Sequence, residues 1–567
     1  MKHLLIWTII AAGLNAHAQL GENTTPTYSE LIEIYYGLAQ EHSEIELFQM
    51  GQSDAGIPIF LCVINGDQDS LKTFVKAKKE TTILINNGIH PGEPDGINAC
   101  LIWINEWIDK GKKVRGLPVI AIIPAYNVGG MLNRSSSSRA NQNGPDYYGF
   151  RGNTQNLDLN RDFIKMDSKN MFTFARIFHG LDPDIFIDTH VSNGADYQYT
   201  LTYIASVKER AAPSVAKLTH DVLIPFLESD LKKKKIDIIP YVNLVGDVPE
   251  KGMSVFNDLP RYSMGYASLF NTISFTVETH MLKPFKERTQ ATLEFLKSTI
   301  EWTSKNQSYI EMARSEAFRR DRSLSVMPYK YALTDEPDSI LFKGYQFSYP
   351  KSEVTGHERL KYHEDQPYEK YIPYFHNYEA MDTLEIPLSY IIGGQCSDVI
   401  ERLRANGVEM QETDASLEYA YEQYKVVKYS SGNSPYEGHF LHREVETELT
   451  SDAAFQLKPT DVLITTNQRN RRFILSVLAP EMADSYFAWN FFDAYVQQKE
   501  HFSSYVFEDK ALEILTDNPV LKAEFEAKKL TDEEFRGNPR AQLNFIYQHS
   551  DCYEPTHNML PILINKR

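Results

Sequence analysis

The residues best suited to chemistry begin with a histidine and a glutamate three positions apart, His90 and Glu93, in the loop 87–96. A neutral imidazole and a carboxylate at this spacing can reach one cation, and they form a common pair of zinc ligands. A second H-x-x-E occurs at His376 and Glu379. Only the first pair follows a predicted buried strand and lies in a Gly- and Pro-rich loop, which favours an irregular functional backbone. We therefore interpret His90 and Glu93 as candidate ligands and His376 as structural.

A catalytic zinc site needs a third protein ligand and an open position for water. The candidate is His190, which ends the apolar run 184–190. A lone histidine there is more often a satisfied surface residue, although α/β sheets do place their sites at strand ends of this kind. Together with the H-x-x-E pair, it predicts one Zn²⁺ per chain, bound by His90, Glu93 and His190.

Other polar residues could act on a substrate beside such a metal. The adjacent Asn160 and Arg161 provide a fork of donors suited to a carboxylate, although they would also suit a solvated charge cluster at a helix start. Arg139 lies in the segment 133–156, which is rich in Ser, Asn and Gly and is long enough to indicate a functional loop. Glu278 ends a β-branched run, where it is either an exposed edge residue or a positioned base.

Short apolar runs alternate with amphipathic stretches between about residues 27 and 310. This alternation predicts an α/β fold with a mixed, largely parallel sheet and flanking helices. The expected strands are 59–64, 82–85, 119–123, 184–189 and 274–278, and the expected helices are 28–40, 97–108 and 287–305.

The pattern of apolar and aromatic residues changes after about residue 320. Residues 320–450 hold aromatic-rich short runs, which predict a β-rich module of unknown role. Residues 451–567 predict a mixed α/β region of unknown role, with a strand at 461–466 and helices around 485–499 and 511–515. We find no motif in this C-terminal half that indicates a chemistry.

Composition narrows the class of protein. The chain has 567 residues, of which 42% are hydrophobic and 24% are charged, so it is neither disordered nor fibrous. Its formal net charge of -18 leaves no diffuse basic footprint for nucleic acid. Residues 1–18 have the charged start, apolar core and Ala-x-Ala end of a signal peptide, so we expect a secreted or periplasmic protein that begins at Gln19. No later apolar run is long enough to span a membrane.

The motifs taken in order resemble the zinc carboxypeptidases of the carboxypeptidase A-like metallopeptidase family, in a secreted bacterial form. They are H-P-G-E at 90–93, R-x-N at 139–141, D-L-N-R-D-F at 158–163, a strand ending in His190 and a strand ending in Glu278. The resemblance covers about 27–310, which we take as the catalytic domain. It implies the fold of that family, a mixed eight-stranded sheet flanked by helices.

The resemblance also implies a role for each of the remaining candidates. Asp158 corresponds to the carboxylate that orients the first histidine ligand, and Glu278 to the general base. Asn160 and Arg161 correspond to the pair that grips the terminal carboxylate of a peptide. Arg139 corresponds to the arginine that polarises the scissile carbonyl and stabilises its oxyanion.

One role stays open between two tyrosines. The family usually has a mobile tyrosine that closes over the substrate, and both Tyr262 and Tyr266 lie in the right segment. The spacing is compatible with either tyrosine. In this family the residue that sets the preference for the substrate's C-terminal side chain lies in the same segment, so the sequence does not predict that preference.

The predicted function is hydrolysis of the C-terminal peptide bond by a zinc-dependent metallocarboxypeptidase, with a peptide that carries a free C-terminal carboxylate as its partner. Two alternatives are also zinc-dependent hydrolases on the same scaffold but cleave a different bond: a murein peptide hydrolase and an N-acyl amino acid deacylase. A third is a non-catalytic binding protein that kept the fold. Such proteins usually lose a ligand or the base, and this chain retains both.

Overall fold

The structure is a computed structural model that describes residues 21–413, 421–451 and 457–566. The predicted signal peptide, 1–18, lies outside the described residues. The chain folds into two compact units. Among the described residues, the first comprises those up to 386 together with 402–408 and 467–476, and the second comprises those in 387–401, in 409–466 and from 477 onwards. The predicted β-rich module, 320–450, is therefore distributed over both units.

The first unit contains two groups of strands. Its larger sheet is formed by β1 (Ile45–Gln52), β2 (Pro58–Ile64), β3 (Thr82–Asn86), β4 (Val119–Ile123), β5 (Ile185–Ser192), β6 (Leu201–Ala205), β7 (Ile238–Pro240) and β10 (Ile273–His280). The other strands are β8 (Asn243–Leu244), β9 (Met253–Ser254), β11 (Val326–Leu333), β12 (Asp338–Ser348), β13 (Lys361–Phe375) and β14 (Tyr378–Glu385).

The larger sheet is mixed and has the order β1-β2-β4-β3-β5-β10-β6-β7. Its central strands β4, β3, β5 and β10 are parallel to one another, and β6 is parallel to β7. The pairs β1-β2, β2-β4 and β10-β6 are antiparallel. Strands β3, β4 and β5 are buried along their whole length, as expected of parallel strands covered on both faces. The predicted mixed, largely parallel sheet is confirmed.

Helices connect and cover these strands. They are α1 (Tyr28–Glu41), α2 (Ser70–Ala77), α3 (Asp95–Asp109), α4 (Val128–Leu132), α5 (Lys169–Leu181), α6 (Pro213–Lys217), α7 (Ile224–Lys233), α8 (Ser263–Ser268) and α9 (Phe285–Ser323). The start of α1 is fixed by a capping box in which Thr27 and Glu30 satisfy each other's backbone N–H groups. The long α9 is anchored by Arg288, which is fully buried and donates from Nε to Asp95 Oδ1 at 2.9 Å.

The smaller strands of the first unit form two further sheets. Strands β12 and β13 make a long antiparallel hairpin that continues through β9 to β8, and β11 pairs with β14. An aromatic cluster with Tyr197, Tyr199 and Phe342 packs beside this hairpin. The aromatic-rich runs after residue 320 therefore build strands, as predicted.

The second unit is built on an antiparallel sheet with the order β16-β19-β15-β20-β17-β18. These strands are β15 (Ser389–Ile392), β16 (Gln411–Glu412), β17 (Glu422–Ser431), β18 (His442–Thr450), β19 (Val462–Thr465) and β20 (Met559–Asn565). The later helices are α10 (Ser397–Ala405), α11 (Arg471–Leu478), α12 (Ser504–Asp517), α13 (Pro519–Thr531), α14 (Glu533–Gly537) and α15 (Pro539–Gln548).

One predicted element of this region is wrong. Residues 485–499 form turns and a short 3-10 turn at Asp493–Val496 rather than a helix. The run Tyr486 to Trp489 is buried on every side, so its apolar residues do not mark one face of a helix. Among the described residues, we find no helix long and apolar enough to cross a membrane.

Candidate functional site

The three predicted metal ligands lie at the ends of two adjacent parallel strands. His90 and Glu93 belong to the loop between β3 and α3, and His190 lies near the end of β5. His190 Nδ1 is 3.2 Å from His90 Nδ1 and 3.1 Å from Glu93 Oε2, and His90 Nδ1 is 3.3 Å from Glu93 Oε1. All three side chains are buried, so the structure brings the predicted ligands together at one point.

Each histidine turns its other ring nitrogen toward a carboxylate. His90 Nε2 lies 2.9 Å from Asp158 Oδ1, and His190 Nε2 lies 2.9 Å from Asp188 Oδ2. When Nε2 donates its hydrogen there, the Nδ1 lone pair of each neutral imidazole faces the centre of the cluster. Asp158 therefore lies where the resemblance implies. Sequence reasoning missed Asp188, although its place two residues before His190, on the same face of β5, was the available signal.

The donor set fits a divalent zinc ion. One atom from each of His90, Glu93 and His190 can be chosen so that all lie within 4.8 Å of one another. Two imidazole lone pairs and a carboxylate repel each other at such distances unless a cation lies between them. Burial opposes a charge on His190, but the carboxylates of Asp188 and Glu93 outweigh it and raise the pKa of this imidazole well above its usual range. Two nitrogens and a carboxylate oxygen are typical of catalytic zinc sites.

Two glycines allow this loop to approach its neighbours closely. A Cβ on Gly92 would lie 2.7 Å from the Arg139 side chain, and a Cβ on Gly96 would lie 2.1 Å from Thr189 Oγ1. The first contact lets Arg139 reach the ligand cluster, and the second lets α3 begin beside the strand that carries His190. Steric crowding thus explains why glycine occupies position 92 in the H-P-G-E motif and position 96 at the start of α3.

The ligand cluster opens into a cavity of about 470 Å³, and most of the predicted substrate residues line it. They are Arg139, Asn160, Arg161, Tyr262 and Glu278. Arg139 is fixed there by protein acceptors at all three guanidinium nitrogens: Nη1 donates to Glu93 Oε1 at 2.7 Å, Nε to Gln142 Oε1 at 2.5 Å and Nη2 to the Val191 carbonyl at 3.2 Å. Its hydrogen bonds therefore hold the ligand Glu93.

A second arginine of the cavity, Arg151, was missed by sequence reasoning. Its Nε and Nη2 lie 3.0 Å and 2.8 Å from Asp158 Oδ2, while its Nη1 lies 3.6 Å from Glu93 Oε1, beyond hydrogen-bond distance. Its side chain is 45% exposed, whereas that of Arg139 is 15% exposed. Arg151 thus has a donor available to the cavity. Its position seven residues before Asp158 gives no signal without the folded loop.

The Asn-Arg pair lies on a 3-10 turn, Leu159–Arg161, whose start is capped by Asp158, because its Oδ1 accepts from the backbone N–H of Asn160. Asn160 Oδ1 accepts from the backbone N–H of Ser263, which leaves its amide nitrogen toward the cavity. The Arg161 guanidinium lies 4.5 Å from the centre of the Tyr262 ring, and its Nη1 donates to the Asn160 carbonyl at 2.9 Å. The pair is thus positioned rather than solvated at random.

The two predicted tyrosines have different surroundings. Tyr262 lines the cavity beside Arg161. Tyr266 is fully buried in an aromatic cluster, where its hydroxyl donates to Asn406 Oδ1 at 2.6 Å and lies 2.9 Å from His179 Nε2. It does not line the cavity, because its ring packs against Phe163, Phe178 and Phe270. Another tyrosine, Tyr241, does line the cavity and was not predicted.

Glu278 lies directly beside the metal ligands. It is the register partner of His190 in the parallel pair β5 and β10, and its side chain faces the cavity. Burial raises the pKa of Glu278 to about 7, with His190 opposing this shift. A carboxyl group with such a pKa can exchange protons near neutral pH.

Residues 31–185 match the family model for zinc carboxypeptidases. The curated relatives include Carboxypeptidase 2 of Trichophyton rubrum, which is 21% identical over 494 residues and covers 81% of this chain and 83% of its own. Carboxypeptidase 2 of Trichophyton tonsurans is 22% identical over 438 residues and covers 71% and 72%. The predicted resemblance to the zinc carboxypeptidase family is confirmed. A match over 81% of the chain also reaches into the C-terminal half, where we found no family signal.

Solved structures that are similar to part of this chain include the following two. Bovine thrombin-activatable fibrinolysis inhibitor, in complex with tick carboxypeptidase inhibitor, is 13% identical with a TM-score of 0.38, and the match covers 50% of this chain and 99% of that one. Carboxypeptidase A of Helicoverpa armigera is 16% identical with a TM-score of 0.37, and the match covers 54% and 78%.

Proposed function

We propose that this chain, which carries the zinc carboxypeptidase signature in sequence and geometry, is a metallocarboxypeptidase that removes the C-terminal residue of peptides. The observation that carries the proposal is one cavity that holds both a His-Glu-His donor set and an arginine-asparagine pair. The first suits the hydrolysis of an amide, and the second suits recognition of a free carboxylate. Neither alone would distinguish an exopeptidase from another zinc hydrolase.

His90, Glu93 and His190 would hold the zinc. When bound by two imidazoles and one carboxylate, zinc keeps an open position and supplies Lewis acidity toward water and a carbonyl oxygen. Asp158 and Asp188 keep the two histidines in the tautomer that presents Nδ1. Arg139 holds Glu93 through its 2.7 Å ion pair, so the third ligand stays oriented.

Glu278 acts as the general base and later as the general acid. Its raised pKa of about 7 means that the carboxylate accepts a proton from the attacking water readily and can return it to the leaving amine. Its place next to His190 in the sheet keeps it within the same cavity as the reacting bond. Rigid strands position such a group better than loops do.

Arg161 and Asn160 bind the terminal carboxylate of the substrate, and Tyr262 covers the guanidinium. We assign the contact with the developing oxyanion to Arg151 rather than to Arg139, because among the described residues Arg151 Nη1 has no acceptor within hydrogen-bond distance. This assignment differs from the one predicted from the R-x-N motif. Such a donor typically contributes about 3 to 4 kcal/mol to the transition state.

Product analysis with purified protein tests the proposal. The substrates are a peptide with a free C-terminus, the same peptide amidated, an N-acyl amino acid and a murein peptide, each with and without a chelator. We expect release of single C-terminal residues from the free peptide, lost with the chelator and restored by zinc. Cleavage of only the N-acyl amino acid, or of internal bonds, would overturn the proposal.

A further inference from the structure

The carboxylate of Asp188, which faces the ligand His190, is held by a serine from the start of α8. Asp188 Oδ2 lies 2.9 Å from His190 Nε2 and accepts from Ser263 Oγ at 2.5 Å. Its other oxygen, Oδ1, accepts from Asn86 Nδ2 at 3.3 Å. Asp188 and Ser263 are both fully buried. Donors at both oxygens therefore fix the rotation of the carboxylate, so that Oδ2 stays directed at the imidazole.

Ser263 also contacts the residue pair that suits a substrate carboxylate. Its backbone N–H donates to Asn160 Oδ1 at 3.0 Å. Ser263 is the first residue of α8, where a backbone N–H has no acceptor within the helix, and Tyr262 before it provides no side-chain cap. Asn160 supplies the missing acceptor, and this hydrogen bond fixes which end of its amide faces the cavity.

These contacts complete a chain of hydrogen bonds between the two histidine ligands. On the other side of the site, Asp158 Oδ1 lies 2.9 Å from His90 Nε2 and accepts from the backbone N–H of Asn160 at 2.9 Å. The chain runs through His90, Asp158, Asn160, Ser263, Asp188 and His190. Ser263 is thus the residue that joins Asn160 to the carboxylate of the second histidine.

We propose that Ser263 is a positioning residue with two separable roles. Its hydroxyl orients Asp188 and, through Asp188, the His190 that would hold zinc. Its backbone N–H orients Asn160 for the carboxylate of the substrate. The second role rests on the proposed function, whereas the first requires only that the donor set binds a metal.

A purely structural role of the hydroxyl makes a different prediction. A buried carboxylate needs donors whatever it does, so the loss of one donor lowers the free energy of unfolding in either case. Only a positioning role also lowers the affinity for zinc, because the imidazole then faces a less firmly held partner. Residues that orient a ligand in this way typically contribute about 10- to 100-fold to metal affinity.

Zinc affinity of the full chain, measured by competition with a chromogenic chelator, tests the first role. Ser263→Ala should bind zinc about 10- to 100-fold more weakly, and Ser263→Thr, which keeps the hydroxyl, should recover most of the loss. The matched control is Ser298→Ala, because Ser298 is also fully buried and donates to Asp230 Oδ2 at 2.8 Å, outside the cavity lining. It should bind zinc as the unaltered protein does. Unchanged affinity in Ser263→Ala, or an equal loss in Ser263→Thr, would overturn the first role.

A double-mutant cycle tests whether the hydroxyl acts through Asp188. In an Asp188→Ala background, Ser263→Ala should weaken zinc binding by less than about threefold further, since its partner is already absent. Losses that multiply in full would overturn this route.

Ser263→Pro tests the second role. Proline is tolerated at the first position of a helix, and Tyr262 has the extended backbone, with φ of -89° and ψ of 155°, that a residue before proline requires. Alanine removes only the hydroxyl, whereas proline also removes the N–H that holds Asn160. With zinc at saturation, Ser263→Ala should keep the preference in kcat/KM for a free peptide over the same peptide amidated, and Ser263→Pro should reduce it at least about tenfold.

The outcomes separate this inference from the proposed function. Equal preferences in Ser263→Ala and Ser263→Pro would overturn the second role while the unaltered protein still acts as a carboxypeptidase. If the unaltered, zinc-loaded protein released no C-terminal residue, the proposed function and the second role would both be overturned, and the zinc affinities would still decide the first role.

Discussion

Replacement of Arg161 by alanine should cost most of the activity on peptides with a free C-terminus. The guanidinium is held by the Tyr262 ring at 4.5 Å and by the Asn160 carbonyl at 2.9 Å, so it is positioned before substrate binds. Asp158 Oδ2 is 3.9 Å from Arg161 Nη1 and is already bonded to Arg151, so it neutralises Arg161 only in part. The remaining charge is available to a substrate carboxylate.

The size of the effect follows from burial. The Arg161 side chain is 21% exposed, so a substrate carboxylate beside it would be largely desolvated. Loss of one partner of such a pair costs roughly 2 to 5 kcal/mol, and the residual exposure favours a value of about 3 kcal/mol, or about 150-fold in kcat/KM. Arg161→Lys should recover only part of this loss, because an ammonium lacks the planar fork.

A thermodynamic cycle that combines Arg161→Ala with amidation of the substrate isolates the contact between Arg161 and the substrate carboxylate. Amidation should lower kcat/KM of the unaltered protein by a similar factor and should have little further effect on Arg161→Ala, since the interaction is already absent. Arg115→Ala, which changes an exposed arginine, is the matched control and should behave like the unaltered protein. If amidation and Arg161→Ala each changed kcat/KM less than about threefold, Arg161 would be an ordinary surface residue and the exopeptidase reading would fail.

The remaining predictions concern the metal, the base, the oxyanion and stability. His190→Ala should lose most bound zinc by elemental analysis, since two protein ligands rarely retain it; stoichiometric zinc would remove His190 from the site. Glu278→Gln should keep zinc and substrate binding while abolishing turnover, and a near-normal kcat would refute its role as base. Arg151→Ala should lower kcat about 100-fold with zinc retained, whereas Arg139→Ala should weaken zinc binding; the reverse pattern would exchange the two assignments. Asp258→Asn should raise the thermal unfolding midpoint at pH 7.5 but not at pH 4. The pKa of Asp258, raised by burial to about 6, makes its ionisation cost the folded state roughly 3 kcal/mol above that pH, and this cost disappears below the unfolded value of about 4. An unchanged midpoint at pH 7.5 would contradict this account.

Much of the first unit could be predicted because its strands and its ligands obey local rules. The run Val119 to Ile123 was predicted to the residue, since a buried parallel strand is a continuous apolar run between turn residues. His90, Glu93 and His190 were found because each follows or ends such a run. Residues 485–499 failed because their apolar side chains are buried by tertiary packing on all sides, and periodicity carries no information there.

The site residues that sequence reasoning missed have one thing in common: they reach the site through the folding of the chain rather than through a local motif. Asp188 precedes a ligand by two positions on the same strand, so the period of a strand could have identified it. Arg151 and Asp258 have no such local mark: one reaches the cavity from an irregular loop, and the other comes from the segment before α8 and is held by the backbone after β6. Motif spacing therefore located the groups that would hold the metal, whereas the place of Asp258 at the cavity follows from topology. Its Oδ1 accepts from the backbone N–H of Val207, which follows β6, and β6 runs antiparallel to β10.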